Sequence, residues 1–250
     1  MKKKIYYLAG LPRAGNTLLG SILNQNPKVK VSPNSMLVEI AATIFLMKER
    51  TMFKNFPDHK TIDNLVKKTF EHYYDNCDAE YIFERSCWGT EFNLKLLKTY
   101  FDKEPKFLIL DRPIVEIVAS FVKAKKEGDM YKISHNLFNP KNGKLVQDIR
   151  SSRNIVKTKQ PHLKITYNDL VKDTEKQIEN IYTFFEIPTF KHNYSDLKQF
   201  RFNGLKYYDE HLEFNLHAIR TDKIEKEEYP VSDFLNEELI TKLKGYNIYE

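Results

Sequence analysis

The chain has 250 residues, 41% of them hydrophobic and 13% aromatic, which suits one large folded domain and excludes a disordered polymer. Lys and Arg total 40 against 34 Asp and Glu, a net charge of +6; the two signs are interspersed without a basic arm, so an anionic ligand is the better reading of the excess than nucleic acid. The two cysteines, Cys77 and Cys87, show no metal-ligand spacing, so free thiols, a reduced cytoplasmic setting and no bound metal are expected.

In chain order, residues 4–9 form a short apolar run. It is too short for a signal peptide, Pro12 and Arg13 end it, and it is predicted to be a buried strand. Residues 10–15 read as a turn, and 16–26 as a helix with Leu18, Leu19, Ile22 and Leu23 on one face. Helical patterns follow at 35–50 and 61–76; the apolar stretch 36–47 is interrupted by Glu39 and is too short to span a membrane. A strand is predicted at 81–83, a helix at 91–101, a strong strand at 106–110 and a helix at 115–126. Residues 130–144 are polar and rich in Asn, Lys and Gly, hence a loop. Then come a helix at 146–158, a strand at 163–167, a helix at 174–185, an irregular stretch from 200, and a last helix at 236–244. Strands alternating with helices predict one α/β domain over 1–250, a parallel sheet covered by helices on both faces. Its ligand is expected beyond the carboxyl ends of the strands.

Gly10 to Thr17 has the spacing Gly-x-x-x-x-Gly-Asn-Thr. An ATP- or GTP-binding loop would carry Lys where Asn16 stands, to neutralise the β- and γ-phosphates. The one cation in the turn is Arg13. Strand, turn and helix still make an anion site: the amides of Gly15, Asn16, Thr17 and Leu18 are donors of a helix N-terminus whose dipole favours phosphate. A single phosphate carrying a transferable group beside Arg13 fits better than a triphosphate with Mg²⁺.

A second anion site is suggested by Arg112, just past the strand 106–110, and Ser120, eight residues on in the following helix. A guanidinium fork plus a hydroxyl can hold one phosphate, although Arg112 could equally pair with Asp111 or Glu116. Both sites together ask for a ligand with two separate phosphates.

These residues resemble the sulfotransferases that use 3'-phosphoadenosine-5'-phosphosulfate (PAPS). Gly10-Leu-Pro-Arg-Ala-Gly-Asn-Thr-Leu-Leu19 is similar to their 5'-phosphosulfate loop, most of all in the tyrosylprotein and bacterial enzymes. Arg112 through Ser120 resembles the 3'-phosphate motif, and 165–170 with the helix ending at Ile187-Pro188 resembles a later segment. The loop departs from the pattern at Asn16, where the family has Thr, and Asp111-Arg112-Pro113 stands for the usual Arg-Asp-Pro.

The resemblance implies a P-loop-like sulfotransferase fold, PAPS as co-substrate, 3',5'-ADP as product and no metal. It implies binding by Arg13, Ala14, Gly15, Asn16, Thr17, Leu18, Arg112 and Ser120, with Tyr167 near the adenine and Arg220 reaching the 3'-phosphate from a C-terminal cover over 200–250. Arg13 would stabilise the leaving oxygens. Arg85 would lie near the sulfuryl group, against a pairing with Glu84 or Glu91, and Trp88 is expected in the core. The tyrosylprotein enzymes carry a base Glu where this chain has Asn34, which cannot take a proton. Glu39 or His217 is the expected substitute. The acceptor stays open among small molecules, carbohydrates and peptides. Two other readings stand: a small-molecule kinase with Asp111 as its metal-binding acid, and a nucleotide-binding module without turnover.

Overall fold

The computed structural model describes residues 3–125, 129–141, 143–199, 201–208, 217–219, 223–224, 231–246 and 248–249. Five strands form one parallel sheet: β1 (Lys4–Leu8), β2 (Val29–Asn34), β3 (Tyr81–Arg85), β4 (Phe107–Asp111) and β5 (His162–Thr166), in the order β2-β3-β1-β4-β5.

Strand alternation divides the core between the two faces. Tyr6, Leu8, Phe83, Leu108 and Leu110 point to one side, where they meet α1 (Asn16–Leu23), α6 (Ile114–Lys125), α10 (Thr174–Phe185) and α11 (Glu237–Lys244). Tyr7, Ala9, Ile82, Phe107 and Ile109 point to the other, against α2 (Leu37–Leu46), α4 (His59–His72), α5 (Glu91–Tyr100) and α8 (Val146–Lys157). Burial on both faces is why these strands read as continuous apolar runs.

The strand order places a crevice. The connection leaving β1 runs through α1 to β2 on one side, and the connection leaving β4 runs toward β5 on the other. β1 and β4 are neighbours, so their exit loops diverge and leave an opening beyond the strand ends. That is the ligand position of open parallel sheets, and it is where the Gly10–Gly15 turn and Arg112 lie.

Several boundaries differ from expectation. Residues 29–34 form an edge strand that no reading of the sequence marked. The helix read over 35–50 breaks into α2, a 3-10 turn at Met47–Glu49 and α3 (Thr51–Asn55). The expected loop at 130–144 contains α7 (Met130–Leu137), which buries Ile133, Ser134 and Leu137 and is capped by Asp129, whose carboxylate accepts from the Tyr131 and Lys132 amides. Tyr167 does not end β5; it opens the short helix α9 (Tyr167–Lys172), capped by Thr166.

Candidate active site

The turn after β1 is built from two left-handed residues, Arg13 at φ 64° and Gly15 at φ 95°. Gly15 is the N-cap of α1, and no side chain caps that helix end. The first-turn amides therefore present a positive end toward the crevice. Asn16 does not point there. Its side chain folds back across the turn and donates to the Leu11 carbonyl at 2.7 Å. It fills the place a Gly10 side chain would need: a Cβ on Gly10 would stand 1.9 Å from Asn16 Oδ1. Gly10 and Asn16 are thus one device, and Asn16 braces the loop instead of supplying the missing cation.

The two predicted anion motifs are physically joined. Arg13 Nε donates to Ser120 Oγ at 3.0 Å. Arg112 Nη1 donates to the Arg13 carbonyl at 2.9 Å, and its Nε to Glu116 Oε2 at 3.0 Å. The pairing with Glu116 foreseen as an alternative is present, and it orients Arg112 toward the loop. Arg112 is only 5% exposed. Its guanidinium lies 4.4 Å from the Tyr167 ring centre, and that ring also packs on Gly15, where an added Cβ would come within 2.7 Å of Tyr167 Cδ2. Loop, Arg112 and Tyr167 form one interlocked frame.

Gly15→Ala should therefore act twice. It places a Cβ at positive φ, costing about 1–2 kcal/mol, and pushes Tyr167 off Arg112. The expected result is a lower melting temperature together with at least a tenfold loss of 3',5'-ADP affinity in a calorimetric titration. An Ala variant that binds as the parent does would refute the frame.

A second group of polar residues surrounds the end of β3. Arg85 Nη1 donates to Asn34 Oδ1 on the neighbouring strand, not to Glu84 or Glu91. Its Nε is buried without a hydrogen-bond partner. Just beyond, the Cys87 thiol donates to Asp148 Oδ1 of α8 at 3.3 Å. Burial raises both the Cys87 thiol and the Asp148 carboxyl above their ordinary ranges; Asp148 raises Cys87 further, while Arg85 draws both back down. Glu39 lies in the first turn of α2, is exposed, and is near enough to act on Cys87.

Neighbouring Glu84 points the opposite way. It is fully buried and accepts from Ser35 Oγ and Trp88 Nε1. Burial pushes its pKa up to about 7, with the two hydrogen bonds opposing. Trp88 lies in the core as expected, 0% exposed. Ser35 also accepts from the Leu37 amide at 3.1 Å, so the start of α2 hangs on Glu84.

α8 locks these parts together. Ser152 Oγ donates to the Ala9 carbonyl at 3.2 Å, immediately before the turn, and Ser151 Oγ accepts from the Gly89 amide at 2.9 Å. Sequence reading missed Glu84, Ser35 and Asp148. Period-two alternation from Ile82 would have put Glu84 on an apolar face; nothing local marks Asp148.

His217 stacks on Tyr207 with ring centres 3.8 Å apart, and its carbonyl accepts from Gln199 Nε2 at 2.9 Å. Arg220 lies outside the described residues, as does most of 200–230. Among the described residues no helix is long and apolar enough to cross a membrane, and no three His, Cys, Asp or Glu side chains are grouped to hold a metal.

Comparison with known proteins points the same way. The model of the sulfotransferase family matches residues 7–192. No curated protein matches the sequence. Among solved structures, the sulfotransferase domain from the Synechococcus PCC 7002 olefin synthase is similar at 15% identity, covering 92% of this chain and 90% of its own, with a TM-score of 0.55. The sulfotransferase domain from the curacin biosynthetic pathway is similar at 17% identity, covering 76% of each chain, with a TM-score of 0.50. Both share the fold, a parallel sheet with a P-loop-like turn.

Proposed function

Because the chain belongs to the sulfotransferase family, we propose that it moves a sulfuryl group from PAPS to a hydroxyl or amine acceptor and releases 3',5'-ADP. The observation that carries this reading is the direct linkage of the two anion motifs: Arg13 bonded to Ser120, and Arg112 bonded to the Arg13 carbonyl. A ligand with two phosphates at separate strand ends calls for that connection; a triphosphate in one loop does not. The fit is supported by the uncapped start of α1, the close approach permitted at Gly15, and the unpartnered Arg85 Nε.

PAPS supplies an activated sulfuryl group on a 5'-phosphate. The amides of Gly15, Asn16, Thr17 and Leu18 would receive that phosphate at the helix end, where the dipole offsets the charge that grows as the bond to sulfur breaks. Arg13 would face the leaving oxygens. Ser120 and Arg112 would hold the 3'-phosphate, with Arg112 kept in place by Glu116 and Tyr167. Tyr167 thus serves the site through Arg112, beside any contact with adenine. Arg85 would stabilise the equatorial sulfuryl oxygens. The acceptor is a small molecule, carbohydrate or peptide that approaches from the side of Asn34, Glu39 and Cys87.

Calorimetric titration tests the reading. Micromolar 3',5'-ADP binding, about −8 kcal/mol, with ATP and Mg²⁺ much weaker, is the expected result. Preference for ATP with Mg²⁺ would overturn it in favour of a kinase. Binding of PAPS without release of 3',5'-ADP in the presence of any acceptor would leave a nucleotide-binding module.

A further inference from the structure

Sulfuryl transfer to a hydroxyl needs a group to take the hydroxyl proton, and Asn34, bonded to Arg85, is an amide that cannot serve as that base. We propose that Asp148 of α8 is the proton acceptor, an assignment that rests on the sulfuryl-transfer reading above.

The geometry separates the three carboxylates around the end of β3. Glu84 is sealed in the core, with its oxygens occupied by Ser35 and Trp88, and cannot touch an acceptor. Glu39 is exposed to solvent in the first turn of α2. Asp148 is partly buried, in a helix tied by three hydrogen bonds to Ala9 and Gly89. Ser152, four residues later on the same face, bonds the Ala9 carbonyl that leads into the turn. Ser151 and Asn154 bond the amide and the carbonyl of Gly89. Residues four apart on a helix are about 5–6 Å apart at Cβ, so Asp148 stands about one helical turn from the start of the phosphate loop. Cys87 occupies one of its oxygens, Oδ1.

Two groups from β3 and the turn that follows it act on Asp148. Arg85 favours the carboxylate; the Cys87 thiol donates to it and is itself held neutral by burial. Burial nevertheless raises Asp148, which strengthens it as a proton acceptor. In the step proposed, the acceptor O–H proton passes to the Asp148 carboxylate as the acceptor oxygen forms its bond to sulfur. The bond from sulfur to the 5'-phosphate oxygen breaks, and that oxygen keeps the electron pair. Asp148 then returns the proton to solvent. Arg85, bonded to Asn34, acts on Asp148 and would face the transferring group.

The test needs no knowledge of the natural acceptor, because water can take its place. Wild-type chain given PAPS alone should release 3',5'-ADP and sulfate above the buffer rate. Asp148→Asn keeps the oxygen that Cys87 bonds but cannot accept a proton. It should lower that release by about 10²–10⁴-fold, with 3',5'-ADP affinity within about twofold of wild type, and the acid limb of the pH–rate profile should disappear. Release that survives in Asp148→Asn, or a wild-type chain that binds 3',5'-ADP yet shows no release, overturns the assignment and leaves the donor reading standing. A wild-type chain that does not bind 3',5'-ADP overturns both. Should Asp148→Asn melt early, Asp148→Glu decides: restored release upholds the assignment, and lost release with 3',5'-ADP still bound rejects it.

Discussion

Arg112→Met should lower the affinity for 3',5'-ADP by more than about 100-fold, a loss of about 3 kcal/mol, the largest effect of any single change near the turn. Arg112 does three things from a buried position. It holds the Arg13 carbonyl, pairs with Glu116 and lies on the Tyr167 ring. Removing it deletes a phosphate ligand and also frees the loop to lose its left-handed bend at Arg13. Lys is no substitute, because an ammonium cannot span a carbonyl, a carboxylate and a ring face with one planar fork; Arg112→Lys should fail nearly as badly. The single variant also strands Glu116, which is 25% exposed at its side chain. Removing one partner of a part-buried pair destabilises the fold independently of any ligand. Arg112→Met with Glu116→Gln separates the two effects: the melting temperature should recover while 3',5'-ADP affinity stays low. Recovery of affinity in the double variant would show that Arg112 is only a strut.

How much of this was legible along the chain depends on distance in sequence. Gly10, Arg13 and Gly15 lie within six residues, and Arg112 and Ser120 within nine, so the strand-turn-helix chemistry of each could be read locally. That the two motifs bond to each other could not, because the contact spans 107 residues between Arg13 and Ser120. The edge strand Val29–Asn34 was hidden by its composition: Lys30, Ser32, Pro33 and Asn34 break the apolar run that marks a buried strand. α7 was hidden in the same way by polar neighbours, although Asp129 ahead of Met130 was a readable start signal. Asp148 sits in a helix whose amphipathic pattern is satisfied without it. Only the docking of α8 across β1 and the turn after β3 brings it to Cys87 and Arg85.

Glu84→Gln should stabilise the chain increasingly as pH rises above 4.5, with the full gain reached once pH passes about 7. Glu84 is fully buried, and its pKa is pushed up from 4.5 to about 7. A raised folded-state value means that the folded chain holds the proton more tightly than the unfolded one. Stability from this group is therefore complete below pH 4.5, falls as pH rises, and is lost once pH passes about 7. The difference of 2.5 between those two values corresponds to about 3 kcal/mol. Gln cannot ionise. Its carbonyl oxygen can accept from Trp88 Nε1, and its amide can donate to Ser35 Oγ, whose hydroxyl is free to turn, so the local bonds survive the exchange. The two chains should melt nearly together at pH 5. At pH 8 Glu84→Gln should melt roughly 6–12 °C higher, given about 2–4 °C per kcal/mol for a chain of this size. Coincident melting curves at both pH values would mean that water reaches Glu84 when it ionises. The start of α2, tied through Ser35, would then be the element that opens, and hydrogen exchange at the Leu37 amide, which bonds Ser35 Oγ, should quicken between pH 5 and pH 8 in the parent chain alone.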